Sequence, residues 1–207
     1  MGDEEEAMKV IFLDRDGVIN HYPGDTRYVT SWKEFRFLPG VKKALKRLTE
    51  AGYKIFVVSN QSGISKGIYS KKRLDEITGR MLKELDKSKV KISGVYYCIH
   101  RNEDSCSCRK PKVGLMEIAL HEHNIAKKVL KRSFFVGDSI TDVQTGKSAG
   151  CKTILVFSGK ENPRNHNNWS IQPDFTAANL SEAVDLILGT PFRLVQRVSL
   201  ERVKGCP

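Results

Sequence analysis

The sequence predicts an α/β fold: a three-layer sandwich whose central, mostly parallel sheet lies between two layers of helices. Three observations predict it. Short apolar runs bounded by polar residues recur along the 207 residues, and they read as strands buried on both faces. Between them lie stretches with apolar residues at helical spacing, so strand and helix alternate in the order that builds parallel sheets. Apolar residues make up 40% of the chain, enough for a sizeable core in one domain of this length.

The elements follow in order. Lys9–Leu13 (KVIFL) is the first strand. A polar loop leads to Pro39–Gly40 and a helix on which Val41, Ala44, Leu45 and Leu48 share one face, ended by Gly52. Lys54–Ser59 (KIFVVS) is the second strand, and Leu74, Ile77, Met81, Leu82 and Leu85 mark one face of a longer helix. Val95–Ile99 reads as a third strand running into a cluster of cysteines. A helix begins at Leu115, Ile118 and Ala119 and closes near Asn124; Ser133–Val136 is a fourth strand ending at Gly137–Asp138. A helix around Thr141–Ala149, a fifth strand at Thr153–Phe157, a loop at Asn162–Pro173 and a last helix at Ser181–Leu188 complete the alternation.

The domain is expected to span 8–190, between an acidic N-terminus at 1–7 and a basic C-terminal tail at 191–207. Net charge is +11, with −4 contributed by the acidic start. That balance suits small phosphorylated substrates, although the basic residues on helices such as Lys42, Lys43, Lys46 and Arg47 also read as solvated faces. The apolar runs are too short to span a bilayer, and the start has neither the basic residues nor the apolar stretch of a signal peptide. Five cysteines, three of them within eleven positions, do not form a secreted disulfide framework. The expectation is a cytoplasmic protein without membrane contact. With no large inserted segment over its strand ends, it is expected to be monomeric.

Ligands of such sheets bind beyond the carboxyl ends of the strands. Asp14 and Asp16 follow the first strand there, Ser59 and Asn60 the second, and Asp138 the fourth; Arg109, Lys110 and Pro111 follow the cysteine cluster. This set suits phosphoryl transfer. A carboxylate attacking an anionic phosphate monoester needs cations between the two. Asp14 and Asp138 are suited to Mg²⁺, which prefers oxygen ligands. Lys110 and the Ser59 hydroxyl are suited to the transferring oxygens, and Asp16 to protonating the leaving oxygen and then activating water. Taken singly, each has a plainer reading: Asp–x–Asp as a solvated turn, Asn60 and Gly63 as turn formers, Asp142 as a helix cap.

The runs FLDRDG, VVSNQSG, CRKP and VGDSITD resemble, in order, the four motifs of the haloacid dehalogenase superfamily of phosphatases, across Lys9 to Leu188. The resemblance implies a Rossmann-like sandwich with a minimal cap. It implies Asp14 as nucleophile, Asp16 as general acid and base, and Ser59 and Lys110 as phosphate binders. Mg²⁺ would be held by Asp14, the Asp16 backbone carbonyl and Asp138.

Cys98, His100, Cys106 and Cys108 supply three thiolates and an imidazole, a closed set suited to structural zinc. The other histidines (His21, His121, His123 and His166) read as surface residues, Cys151 as a core residue and Cys206 as a free tail thiol. A zinc loop within this superfamily resembles the branch acting on a heptose bisphosphate, with histidinol phosphate the alternative substrate. That branch implies substrate contacts from Arg15, Asp25, Thr26, Arg27, Tyr28, Asn60, Gln61, Ser62, Arg109, Lys110 and Ser139. A reading of another class is a zinc-stabilised nucleic-acid-binding module without catalysis, which has no use for the carboxylates and Lys110 together; nucleic acid is not the expected partner. If zinc stiffens the loop that carries Lys110, its removal by a chelator lowers turnover even in excess Mg²⁺. Zinc-free protein with full turnover and unchanged melting would refute this.

Overall fold

The computed structural model describes residues 8–189, so the expected acidic N-terminus, basic tail and Cys206 thiol lie outside the described residues. The chain forms β1 (Lys9–Leu13), α1 (Val41–Glu50), β2 (Tyr53–Asn60), α2 (Lys71–Asp86), β3 (Gly94–Cys98) and α3 (Gly114–Glu122). It continues as β4 (Phe134–Gly137), α4 (Ile140–Ala149), β5 (Lys152–Val156), β6 (Phe175–Ala177) and α5 (Leu180–Leu188). The six strands make one sheet in the order β3-β2-β1-β4-β5-β6, and every neighbouring pair is parallel. The chain winds from β1 toward β3 and then returns to the other side of β1. Its direction of winding therefore reverses between β1 and β4, where open α/β sheets place their ligands.

Alternation along the strands divides the core in two. Ile11, Leu13, Ile55, Val57 and Val136 face one layer, with Leu45 and Leu48 of α1, Ile77 and Met81 of α2, and Ala183 and Val184 of α5. Val10, Phe12, Phe56, Val58 and Phe135 face the other, with Leu115, Met116 and Ala119 of α3 and with Val129 and Leu130. Both sets are buried, which explains why the strands read as unbroken apolar runs. Phe12 stacks on Phe56 at 5.5 Å and on Phe135 at 6.4 Å, tying the three central strands together on the second face.

Helix ends follow their caps. Ser70 opens α2 by accepting the Arg73 amide, Asn179 opens α5, and Ser139 with Asp142 forms a capping box on α4. The loop between β1 and α1 carries isolated bridges and a packed cluster of Trp32, Phe35 and Phe37 rather than an inserted domain, as a minimal cap requires.

Two parts were not anticipated. β6 has only three residues, too few for a periodic pattern, and six-residue 3₁₀ segments occupy Lys127–Arg132 and Pro163–Asn168. One expectation is corrected for two histidines: His123 and His166 are half-buried rather than surface residues, the first edge-on to Phe56 at 4.9 Å and the second edge-on to Trp169 at 6.5 Å. Cys151 is buried as expected. No helix among the described residues is long and apolar enough to cross a membrane.

Because Phe12 sits at the centre of the aromatic stack, Phe12→Ala should cost about 3–5 kcal/mol. Equilibrium urea unfolding would show this as a lower midpoint with little change in slope.

Candidate active site

The central strand delivers Asp14. Its amide still donates to Val136 of β4 (3.0 Å), so the residue continues the sheet before the chain turns. Its side chain lies at the carboxyl edge, where the Arg15 amide donates to Oδ1 (2.7 Å) and the Lys110 ammonium pairs with the same oxygen (3.0 Å). Lys110 is buried, and also contacts Asp142 Oδ1 at 2.6 Å and donates to the Val58 carbonyl at 3.0 Å. Asn60 fixes the lysine from behind: its amide donates to the Lys110 carbonyl and its oxygen accepts the Lys110 N–H, each at 3.1 Å. A residue on β2 thus holds the end of the cysteine loop in register with the sheet.

Asp138 is held from the other side. Its Oδ2 accepts the Lys160 amide (2.7 Å), and its backbone carbonyl accepts that of Glu161 (3.0 Å). Gly17 and Gly159 press so closely on this carboxylate that a Cβ on either would lie 2.0 Å from Oδ2. Gly17 also has φ +80°, so both space and backbone require glycine there.

Asp14, Asp138 and Asp142 present carboxylate oxygens within 4.8 Å of one another. One ammonium lies among three acids. Burial pushes Asp14 up to about 6, against the pull of Lys110. Burial, followed by the charges of Asp14 and Asp142, holds Asp138 well above the usual carboxylate range. Lys110 is raised despite burial, because Asp14 and Asp142 favour its charged form. A hard divalent cation beside Asp14 and Asp138 would relieve this crowding, so the donor set fits Mg²⁺.

Asp16 stands apart from that cluster. Arg15 grips it with Nε (3.2 Å) and Nη2 (2.9 Å), while Asn20 and Gln61 each donate to it at 2.8 Å. Tyr69 in turn donates to Gln61 Oε1 at 2.5 Å. Arg15 was expected to touch substrate; it is instead fully buried, with its guanidinium turned onto Asp16 and Gln61. Ser139 likewise directs its hydroxyl to Asp142 Oδ2 (2.6 Å) within the α4 cap.

The remaining expected contacts lie around the mouth. Asp25 is exposed, accepts from Tyr22 at 2.6 Å and pairs with Lys160 at 2.9 Å; Thr26 and Arg27 beside it are exposed. Tyr28 accepts from Lys66 (2.9 Å), Ser62 is buried, and Arg109 donates to the His100 carbonyl (3.2 Å). Sequence reasoning left out Asn20 and Tyr69, whose only mark is polarity near the motifs. Asp142, whose place after Ser139 left a cap and a role in the site both open, forms the cap and also pairs with Lys110. Its spacing of four after Asp138 is the one signal that pointed there.

At the end of β3, Cys98, His100, Cys106 and Cys108 converge. Cys98–Cys106, Cys98–His100, His100–Cys108 and Cys106–Cys108 are 3.6, 3.7, 3.3 and 3.4 Å apart. Ligands at ordinary zinc distances, about 2.3 Å for sulfur and 2.0 Å for nitrogen, give tetrahedral edges of roughly 3.5–3.8 Å. The cluster has that size, and it can hold a metal ion.

The sheet and its carboxylate-lined edge match what known proteins of one class share. A family model described as HAD-hydrolase-like matches residues 107–183. A D-glycero-β-D-manno-heptose-1,7-bisphosphate 7-phosphatase of Helicobacter pylori is 37% identical over 184 residues, covering 86% of this chain and 97% of that enzyme. The enzyme of the same name from Haemophilus ducreyi is 40% identical over 160 residues, covering 73% and 85%. The crystal structure of the D,D-heptose 1,7-bisphosphate phosphatase of B. bronchiseptica, complexed with magnesium and phosphate, superposes with a TM-score of 0.79 at 30% identity. It covers 88% of this chain and 99% of that one. The chain belongs to the haloacid dehalogenase-like hydrolases and, among them, to the family of these heptose bisphosphate phosphatases. An enzyme family leaves no place for the non-catalytic nucleic-acid module.

The buried carboxylates make stability pH-dependent. In the unfolded chain Asp14 ionises near 3.8, and in the folded protein near 6. Folding is therefore opposed increasingly as pH rises between those values, by up to about 3 kcal/mol, and evenly above them. Melting of metal-free protein from pH 4 to 7 should show this loss in the wild type and a smaller one in Asp14→Asn; Mg²⁺ should restore stability most at pH 7.

Proposed function

We propose that this enzyme removes the 7-phosphate of D-glycero-D-manno-heptose 1,7-bisphosphate through an aspartyl-phosphate on Asp14. One arrangement carries the reading: a buried aspartate at the end of the central strand, paired with Lys110 and facing Asp138, in a chain whose curated relatives bear that activity over nearly its whole length. In this reading a single domain at 8–190 acts in the cytoplasm, as a monomer, on a small phosphorylated sugar.

The steps follow from the residues. Lys110 and the Ser59 hydroxyl bind the transferring phosphoryl oxygens, and the fixed orientation of Asp14 aims a carboxylate oxygen at phosphorus. As the new P–O bond forms, the bond from phosphorus to the sugar oxygen breaks, and Asp16 gives that oxygen its proton. Asp16, again a carboxylate, then takes a proton from a water molecule. The water attacks the aspartyl-phosphate, releasing inorganic phosphate and free Asp14. Arg15, Asn20, Gln61 and Tyr69 hold Asp16 for both transfers, which makes Arg15 a positioning residue rather than a substrate contact.

Asp14, Asp138 and the Asp16 carbonyl are the residues that would hold Mg²⁺, which when bound neutralises charge between nucleophile and phosphate. Cys98, His100, Cys106 and Cys108 would hold zinc as a structural tie. Arg109 reaches from that loop toward the second phosphate, and Asp25–Tyr28 border the sugar. Asn60 and Ser139 act through Lys110 and Asp142.

Turnover of heptose bisphosphate, histidinol phosphate and 3′-phosphorylated DNA with Mg²⁺ tests the substrate. The expected order of kcat/KM places heptose bisphosphate first. Asp14→Asn should lose at least about 10³-fold in kcat while melting as a folded protein. Mg²⁺-dependent turnover surviving in that variant would remove Asp14 as nucleophile.

A further inference from the structure

One tyrosine beside the site is held by a lysine and lies within reach of the charge of an arginine. Lys66 donates to the Tyr28 hydroxyl at 2.9 Å, with Nζ 5.6 Å from the ring centroid. Arg109 follows the cysteine loop, and its guanidinium donates to the His100 carbonyl at 3.2 Å. Burial pushes the Tyr28 hydroxyl up, but hydrogen bonds to Lys66 and Ser62 and the charges of Lys66 and Arg109 outweigh it and hold it below the usual tyrosine value. Of the other cations of the site, Arg15 pairs with Asp16, Lys110 with Asp14 and Asp142, and Lys160 with Asp25, whereas Arg27 is exposed and forms no ion pair among the described residues. Among the described residues, Lys66 and Arg109 have no carboxylate partner. Uncompensated positive charge beside hydroxyl donors is what an anion requires.

This arm is built into the site. Tyr28 lies beside Tyr69 (ring centroids 6.2 Å apart), and Tyr69 reaches Asp16 through Gln61. A Cβ on Gly63 would lie 2.4 Å from Tyr69 and 3.0 Å from Tyr28, so the small residue lets both rings pack against the loop that follows Ser59. From the other side, the Arg101 guanidinium donates to the Ser65 carbonyl at 3.0 and 2.6 Å, pinning the residue before Lys66 to the cysteine loop.

We propose that Lys66 is a specificity-determining residue: with Tyr28 it binds the phosphate that the enzyme does not remove. The proposal rests on the heptose bisphosphate reading and adds to Arg109 a second residue that distinguishes a bisphosphate from a monophosphate. The transferred phosphate is met by buried groups that any phosphate monoester can use, so it contributes no discrimination. An exposed lysine on a flexible stem meets the distal phosphate at little desolvation cost, and its contact is lost when that phosphate is absent.

The test compares kcat/KM for D-glycero-D-manno-heptose 1,7-bisphosphate and the matching 7-phosphate, with Mg²⁺, in wild type, Lys66→Met and Lys66→Arg. Lys66→Met should lose about 10- to 100-fold on the bisphosphate, chiefly through KM, and stay within about twofold on the monophosphate. Lys66→Arg should keep most of the preference, and all three proteins should melt alike because Lys66 is exposed. Equal losses on both substrates, or no loss on either, would overturn the assignment of Lys66 alone. A wild type that hydrolyses neither compound would overturn the heptose reading and the proposal with it.

Discussion

One buried ammonium stands among three buried carboxylates at the end of the central strand, and the site is organised around that imbalance. Lys110 holds Asp14 and Asp142 at once, which fixes both and, among the described residues, leaves Asp138 without an ion-pair partner of its own. Buried charges of one sign are costly, and such a cluster persists only where the surrounding structure leaves it no alternative arrangement. The deficit of positive charge lies beside the expected nucleophile, where an anionic substrate would otherwise be repelled. The same electrostatics that oppose folding of the metal-free site favour uptake of a cation there.

The backbone supplies the constraint. Asp14 stays bonded to β4 after β1 has ended, the Lys160 and Glu161 amides seat Asp138, and Asn60 grips both backbone groups of Lys110. Each carboxylate or cation is thus placed by a hydrogen bond from a different strand end or loop. Gly17 and Gly159 allow those loops to close on Asp138 without intervening side chains. The aromatic stack of Phe12, Phe56 and Phe135 beneath keeps the three central strands from shifting against one another.

The cysteine loop and the loop after β2 behave as one wall. The Gln61 backbone N–H donates to the Cys98 carbonyl at 2.7 Å, Asn60 binds Lys110, and Arg101 binds Ser65. The cluster of Cys98, His100, Cys106 and Cys108 therefore bears on the position of Lys110 and of the segment before Lys66 together. Sequence reasoning connected the cluster to Lys110, which follows two residues after Cys108. It did not connect the cluster to Lys66, because that link runs through an arginine and a backbone carbonyl 36 residues apart.

The sequence by itself determined the alternation of strands and helices, the placing of Asp14, Ser59 and Asp138 at strand ends, and the grouping of three cysteines with His100. Those features are local: a buried strand needs a continuous apolar run, a cap needs a particular residue at a helix start, and a metal cluster needs its ligands close together. Tertiary structure alone decided what each polar group near the site touches. Arg15 and Gln61 lie in motifs that look like substrate contacts, yet the packing of β1 against β2 turns both onto Asp16. Asp142 caps a helix, as its position after Ser139 suggested, and becomes a partner of Lys110 only because the chain after the cysteine loop passes over α4's first turn. Direction and pairing of long polar side chains depend on neighbours distant in sequence, and no local pattern encodes them.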